Sequence, residues 1–122
     1  MDKEVSVQFD EEAYKEYEEL QQLVAERRKS SKKPTYSQLL SSINIVLRNI
    51  KVDPYYGDLI PRRCISKSTA ARYGTDRIFR AELVGYWRLL YTVVGDEVRI
   101  IAFILEFMDH NNYNKIFGYR KK

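Results

Sequence analysis

One cysteine, Cys64, cannot close a disulfide within its own chain, so a cross-linked secreted scaffold is excluded and a reducing cytosol is the expected compartment. One histidine, His110, added to that cysteine leaves too few ligands for a zinc site unless many carboxylates join them, and no metal or other cofactor is expected. The five glycines form neither a P-loop nor a dinucleotide-binding fingerprint, which removes the common nucleotide-dependent enzyme classes. Long apolar stretches are also missing. The longest unbroken run, Ile100 to Leu105, falls far short of the roughly 20 residues that a spanning helix needs. Met1-Asp2-Lys3-Glu4 carries no secretory pattern, so a leader is not expected there. There is no internal repeat and no low-complexity tract.

What remains is a chain of 122 residues, sized for a single domain over 1–122 that buries roughly two-thirds of its unfolded surface. Its net charge of +4 conceals an asymmetry. Residues 1–26 hold nine acids and two bases, whereas residues 27–122 hold nineteen bases and eight acids. A positive field over most of a small domain gathers polyanions and speeds their encounter. The competing reading is a surface that lysine and arginine merely keep wet.

Val5, Val7 and Phe9 alternate with polar residues, which predicts a short strand. Asp10 suits an N-cap, and Ala13, Tyr17, Leu20 and Val24 predict a helix to about Arg28 with its glutamates on a solvated face. A basic connection, residues 27–34, follows. Thr35 with Gln38 fits a capping box, and Leu39, Ile43, Val46 and Ile50 predict a second helix that ends before Asp53-Pro54. Beyond Pro54 the turn signals multiply and the pattern becomes β-rich. Arg63–Ser66 and Arg77–Leu83 read as short strands, and Trp87–Val94 and Glu97–Leu105 as the clearest ones. Gly95-Asp96 has the composition of a two-residue hairpin turn between the last pair. That pair is apolar on both faces, as at the centre of a covered sheet. A short helix over 111–117 is expected to end at Gly118 in the C′ position. The expected fold is α+β: an N-terminal strand and an antiparallel two-helix pair on a twisted, mostly antiparallel sheet of four to five strands, with a short C-terminal helix.

Gly85-Tyr86-Trp87-Arg88-Leu89-Leu90-Tyr91 resembles the glycine, aromatic, Arg, apolar, apolar, Tyr strand of the RelE/ParE toxin superfamily. The hairpin after it and the His110 to Tyr113 segment also match. The ending Tyr113 to Tyr119 is similar to archaeal-type RelE-like members. The resemblance implies a toxin of a type II toxin–antitoxin pair, silenced by an acidic antitoxin that wraps it. RelE-like members are implied to cut mRNA, commonly on the ribosome, and so to inhibit translation in the cytoplasm. ParE-like members are implied to act on a topoisomerase instead.

Metal-free RNA cleavage needs a base for the 2′-hydroxyl proton, cations for the phosphorane and an acid for the leaving oxygen. Arg88 offers a planar fork for two phosphate oxygens; a structural pairing with Glu106 or Glu82 is the alternative. His110 can exchange a proton near neutral pH. Tyr113, matching the family's C-terminal tyrosine, could stack on a base, move a proton or simply pack. Arg77 and Arg80 stand where relatives carry paired basic residues. A spacing of three sends them to opposite faces of a strand, and Arg80 is favoured for the site. Arg120, Lys121 and Lys122 form a tail suited to gripping RNA backbone. Tyr55, Tyr56 and Tyr73 could stack on bases, with packing as the alternative.

The chain also departs from the family. Arg80-Ala81-Glu82 stands where a Lys-x-Lys pair is common, and Asn111 stands where an Arg follows the histidine. A reduced cationic set leaves open a non-nuclease binding module or a ParE-like topoisomerase inhibitor. The nuclease reading requires the guanidinium at 88 and the imidazole at 110 to face one hollow.

Overall fold

The computed structural model describes residues 3–96 and 98–118. In chain order it runs β1 (Glu4–Phe9), α1 (Glu11–Ala25), α2 (Tyr36–Val52), β2 (Asp58–Leu59), α3 (Lys67–Tyr73), β3 (Phe79–Glu82), β4 (Arg88–Gly95), β5 (Arg99–Met108) and α4 (His110–Phe117). Single 3₁₀ turns lie at Arg62–Cys64 and Val84–Tyr86. The five strands form one sheet in the order β1-β5-β4-β3-β2. β1 joins β5 in parallel, and the other pairings are antiparallel. This is the expected α+β architecture.

The first two helices start where side chains satisfy their free N–H groups. The Asp10 carboxylate accepts the Glu12 amide at 3.0 Å. Thr35 and Gln38 exchange bonds of 3.1 and 2.9 Å, a complete capping box. Either cap contributes about 1 kcal/mol. Leu39, Ile43, Val46 and Ile50 then form the buried stripe of α2, which packs with Ala13 and Leu20 of α1 over the sheet. Tyr17 donates to Asn44 at 2.5 Å and pins the pair together.

The sheet is covered on both faces, which explains why its central strands lack a polar side. Phe79, Ala81, Leu89, Tyr91 and Ile104 face α1 and α2. Ile78, Leu90, Leu105 and Met108 face the other way, under Tyr113 and Phe117 of α4. A bulge in the β4–β5 ladder opposite Leu90/Tyr91 changes the parity of β5. Without it, Glu106 and Met108 would follow Ile104 toward α1 and α2. With it, Glu106 lies opposite Leu90 and Met108 opposite Arg88, so β5 delivers the chain into α4 on the second face.

Several local expectations are corrected. The segment read as a strand, Arg63–Ser66, is instead a 3₁₀ turn leading into α3, which the sequence reading missed. Seven mostly polar residues are too few to show a helical period, and the start is set by Ser66, whose hydroxyl accepts the Thr69 amide at 3.1 Å. α1 stops at Ala25 because Arg27 turns left-handed at φ 57°. The Arg27 and Arg28 amides then return to Val24 and Leu23 at 3.0 and 2.9 Å, a Schellman closure built without glycine. Gly118 is not left-handed, with φ −69°. Glycine is required there because a Cβ would collide with the Asn114 carbonyl. The hairpin reverses beyond Asp96: Gly95 still pairs with Ile100, and the Asp96 carboxylate accepts the Val98 and Arg99 amides at 2.9 and 2.8 Å.

Tyr91 is wholly buried, stacks on Phe79 at 5.2 Å, and its hydroxyl accepts the Gly57 amide at 2.8 Å. Tyr91→Phe removes that acceptor and leaves a part-buried N–H unsatisfied. Urea unfolding should show a loss of about 1–3 kcal/mol.

Candidate functional site

Cross-strand pairing puts three charged side chains on the second face. Arg80 lies opposite Leu90, and Glu82 lies opposite Arg88. α4 then crosses over them. The Tyr113 ring sits 5.1 Å from the Arg88 guanidinium carbon and 5.7 Å from that of Arg80, so one buried ring serves two cations. Arg80 Nη1 donates to the Tyr113 hydroxyl at 2.5 Å, and this bond is the main reason its pKa lies above the ordinary guanidinium value.

Arg88 is held more tightly still, at 9% exposure. Its Nη1 donates to the Tyr86 carbonyl at 2.6 Å and lies 3.2 Å from Glu82 Oε1. Of the two carboxylates weighed as its partner, Glu82 takes the role. Glu106 is instead engaged by Arg72 at 3.0 Å and by Tyr73 at 2.5 Å. The Glu82 side chain is 60% exposed, so the ion pair opens to water on its acidic side. The Nε–H groups of both Arg80 and Arg88 are buried and have no acceptor. A buried donor left unpaired costs about 1–3 kcal/mol, which an incoming anionic oxygen would recover.

His110 stands exposed at the first position of α4, where the Asp109 cap and the chain's exit from β5 fix it. Its Nε2 lies 3.0 Å from the Asn114 amide nitrogen. Its ring meets Tyr86 at 5.9 Å. Arg88, Tyr86 and His110 are therefore linked in sequence across one rim. Tyr86 itself has φ 66°, a conformation that costs a bulky residue about 1–3 kcal/mol.

Arg80, Arg88 and Tyr113 are thus brought together, and His110 joins them through Tyr86. Arg77 is not part of the group: it is exposed and lies over the Phe79 ring at 5.9 Å, on the opposite strand parity from Arg80. Arg120, Lys121 and Lys122 lie outside the described residues. Tyr73 is engaged by Glu106, while Tyr55 and Tyr56 are half exposed near β2. Sequence reading offered Glu82 as one of two possible partners for Arg88 and gave Tyr86 no role of its own; the cross-strand register and the backbone angles reveal their positions. Among the described residues no group of His, Cys, Asp or Glu is arranged to hold a metal ion, and no helix is long and apolar enough to cross a membrane.

A structure search finds a YoeB/ParE toxin from Agrobacterium tumefaciens, with TM-score 0.54 and 17% identity over 86% of this chain and 98% of that one. This chain shares the fold of that YoeB/ParE toxin. No family model matches the sequence, and no curated protein matches it. The shared fold thus rests on shape, with β4, which carries Arg88 to Tyr91 of the Gly85–Tyr91 motif, at the centre of the sheet.

A separate open cleft of about 630 Å³ runs between α1, the 30–34 connection and the end of β5. It reaches His110 and Trp87 but not Arg80, Arg88 or Tyr113, so this cleft is not the single hollow for Arg88 and His110 that the nuclease reading requires. Glu16, Glu19 and Glu106 line it together with Lys32 and Lys33, so it carries charge of both signs. Partial burial, then repulsion from Glu106, Glu19 and Glu12, raises the Glu16 pKa above its ordinary 4.5. A raised carboxyl favours the folded state below the unfolded value and loses that contribution as pH climbs through the folded value. Glu16→Gln should therefore stabilise the protein at neutral pH, by less than about 1 kcal/mol given solvent screening. The gain should vanish at acid pH, which urea midpoints measured across pH would reveal.

Proposed function

We propose that the protein is the toxin of a toxin–antitoxin pair and cleaves mRNA in the cytoplasm without a metal ion. The observation that carries this reading is the pair of arginines on one aromatic ring, each with a buried N–H lacking an acceptor. Two cations at one point form a site for a doubly coordinated phosphate. The toxin-like fold supports the same reading.

In the proposed reaction a phosphate oxygen competes with Glu82 for Arg88. The released Glu82 carboxylate then takes the proton of the neighbouring 2′-hydroxyl. The 2′-oxygen bonds to phosphorus, the bond from phosphorus to the 5′-oxygen breaks, and His110, entering the step as the imidazolium, gives a proton to that leaving oxygen and is left as neutral imidazole. The products are a 2′,3′-cyclic phosphate and a 5′-hydroxyl. Arg88 and Arg80 stabilise the charge that grows on the phosphorane, while Tyr113 holds both guanidinium groups in place. Because both Nε atoms are covered, the phosphate enters with a shift of the side chains above them. Arg77 and the tail residues Arg120, Lys121 and Lys122 would contribute backbone attraction at longer range. An acidic antitoxin would silence the protein by covering this basic face. The ribosome is a further partner if cleavage occurs in its decoding site.

One observation favours a second reading. Arg88 is nearly buried and already ion-paired, which fits a non-nuclease, ParE-like inhibitor of a topoisomerase or an inactive binding module.

Induced expression followed by primer extension on ribosome-bound mRNA separates the two. The nuclease reading predicts growth arrest with new transcript ends. Arg88→Ala should reduce those ends by about 100-fold or more, and Glu82→Gln should reduce them by a similar factor. Growth arrest without cuts, unaffected by His110→Ala, would establish the inhibitor reading instead.

A further inference from the structure

We propose that Tyr86 is the platform on which the site stacks one unpaired nucleobase, beside the phosphate held by Arg88. The proposal rests on the ribonuclease reading above and adds a base-binding subsite to it.

Two consecutive residues, Gly85 and Tyr86, are left-handed, with φ 67° and 66°. Glycine at 85 is doubly explained. It enters this region without strain, and a Cβ there would lie 2.6 Å from Pro34 Cδ. Tyrosine at 86 has no such explanation. The turn would be served better by Gly, Asn or Asp, which adopt the conformation at little cost. Packing does not require the ring either, since it is 72% exposed and belongs to neither buried cluster. The backbone does have a task, because the Tyr86 carbonyl accepts Arg88 Nη1 at 2.6 Å, but any residue supplies a carbonyl. The choice of an aromatic side chain at a strained, exposed position therefore answers to something outside the folded chain. Strain of this kind concentrates where a residue meets a ligand.

The surroundings specify that ligand. The ring belongs to the residue whose own carbonyl holds Arg88, and it meets His110 at 5.9 Å with a 56° tilt. A flat apolar face beside a phosphate-seeking guanidinium and an imidazole matches the parts of a nucleotide: a base to stack and a phosphate to hold. Stacking tolerates every base, so this subsite would position the RNA rather than read its sequence.

The test uses a fluorescent, single-stranded RNA oligonucleotide with methylated 2′-hydroxyls, which cannot be cleaved. Wild type and Tyr86→Phe should bind alike. Tyr86→Ala and Tyr86→Gly should bind on the order of ten-fold more weakly. Tyr86→Gly should also melt at a higher temperature than wild type, because the left-handed strain is relieved. That result separates lost binding from lost folding. With an oligonucleotide lacking the stacked base, wild type should weaken by the same factor and Tyr86→Ala should lose nothing further. If Arg88→Gln weakens binding while Tyr86→Ala binds as tightly as wild type, the platform is refuted and the ribonuclease reading stands. If wild type does not bind the oligonucleotide and Arg88→Gln changes nothing, the ribonuclease reading itself fails.

Discussion

The Tyr113 ring lies against two guanidinium groups, and the docking of the last helix and the assembly of the site are the same interaction. α4 has only eight residues, too few to be stable as an isolated helix. It persists because Tyr113 and Phe117 are buried on the second face of the sheet. Each contact between a cation and the ring contributes about 0.5–2 kcal/mol, more as water is excluded. Without the ring and the flanking carboxylates Glu82 and Asp58, two like charges on neighbouring strands would repel each other. The arrangement is held by the fold and would be completed by an anion.

The rest of the structure serves that placement. The bulge in β5 turns Met108 and the following chain toward the second face, so that α4 starts beside Arg88 rather than beneath α2. The connection between α1 and α2 closes on the site loop through Pro34, which fills the space a side chain at Gly85 would need. Gly85 and Tyr86 then aim a carbonyl at Arg88. Glu82 neutralises that arginine at rest and is exposed enough to leave it. Charge is divided along the chain in the same sense: α1 is acidic, and its Glu16 and Glu19 line the cleft that reaches His110.

Much of this was legible in the sequence, for physical reasons that differ by element. Asp10, Thr35 and Gln38 mark helix starts because capping is chemistry between residues close in sequence. The two-sided apolar character of β4 and β5 shows that helices must cover both faces. Strand parity shows that Arg77 and Arg80 face opposite ways, and the structure puts Arg80, not Arg77, beside Tyr113. α3 was invisible, since a short polar helix capped by Ser66 leaves no periodic trace. The identity of Arg88's partner depended on register, which pairs Glu82 with it and leaves Glu106 to Arg72 and Tyr73. The role of Tyr86 depended on a backbone angle that composition does not encode.

The central claim is that Arg80 and Arg88 form a single phosphate site around Tyr113. Nuclear magnetic resonance of the arginine side chains tests it most directly, because each residue carries an Nε–H that has no acceptor in the free protein. On titration with a 2′-deoxy oligonucleotide, both Nε–H signals should move together and become protected from exchange with water. If the oligonucleotide binds and those two signals stay where they were, the phosphate lies elsewhere and the account is wrong.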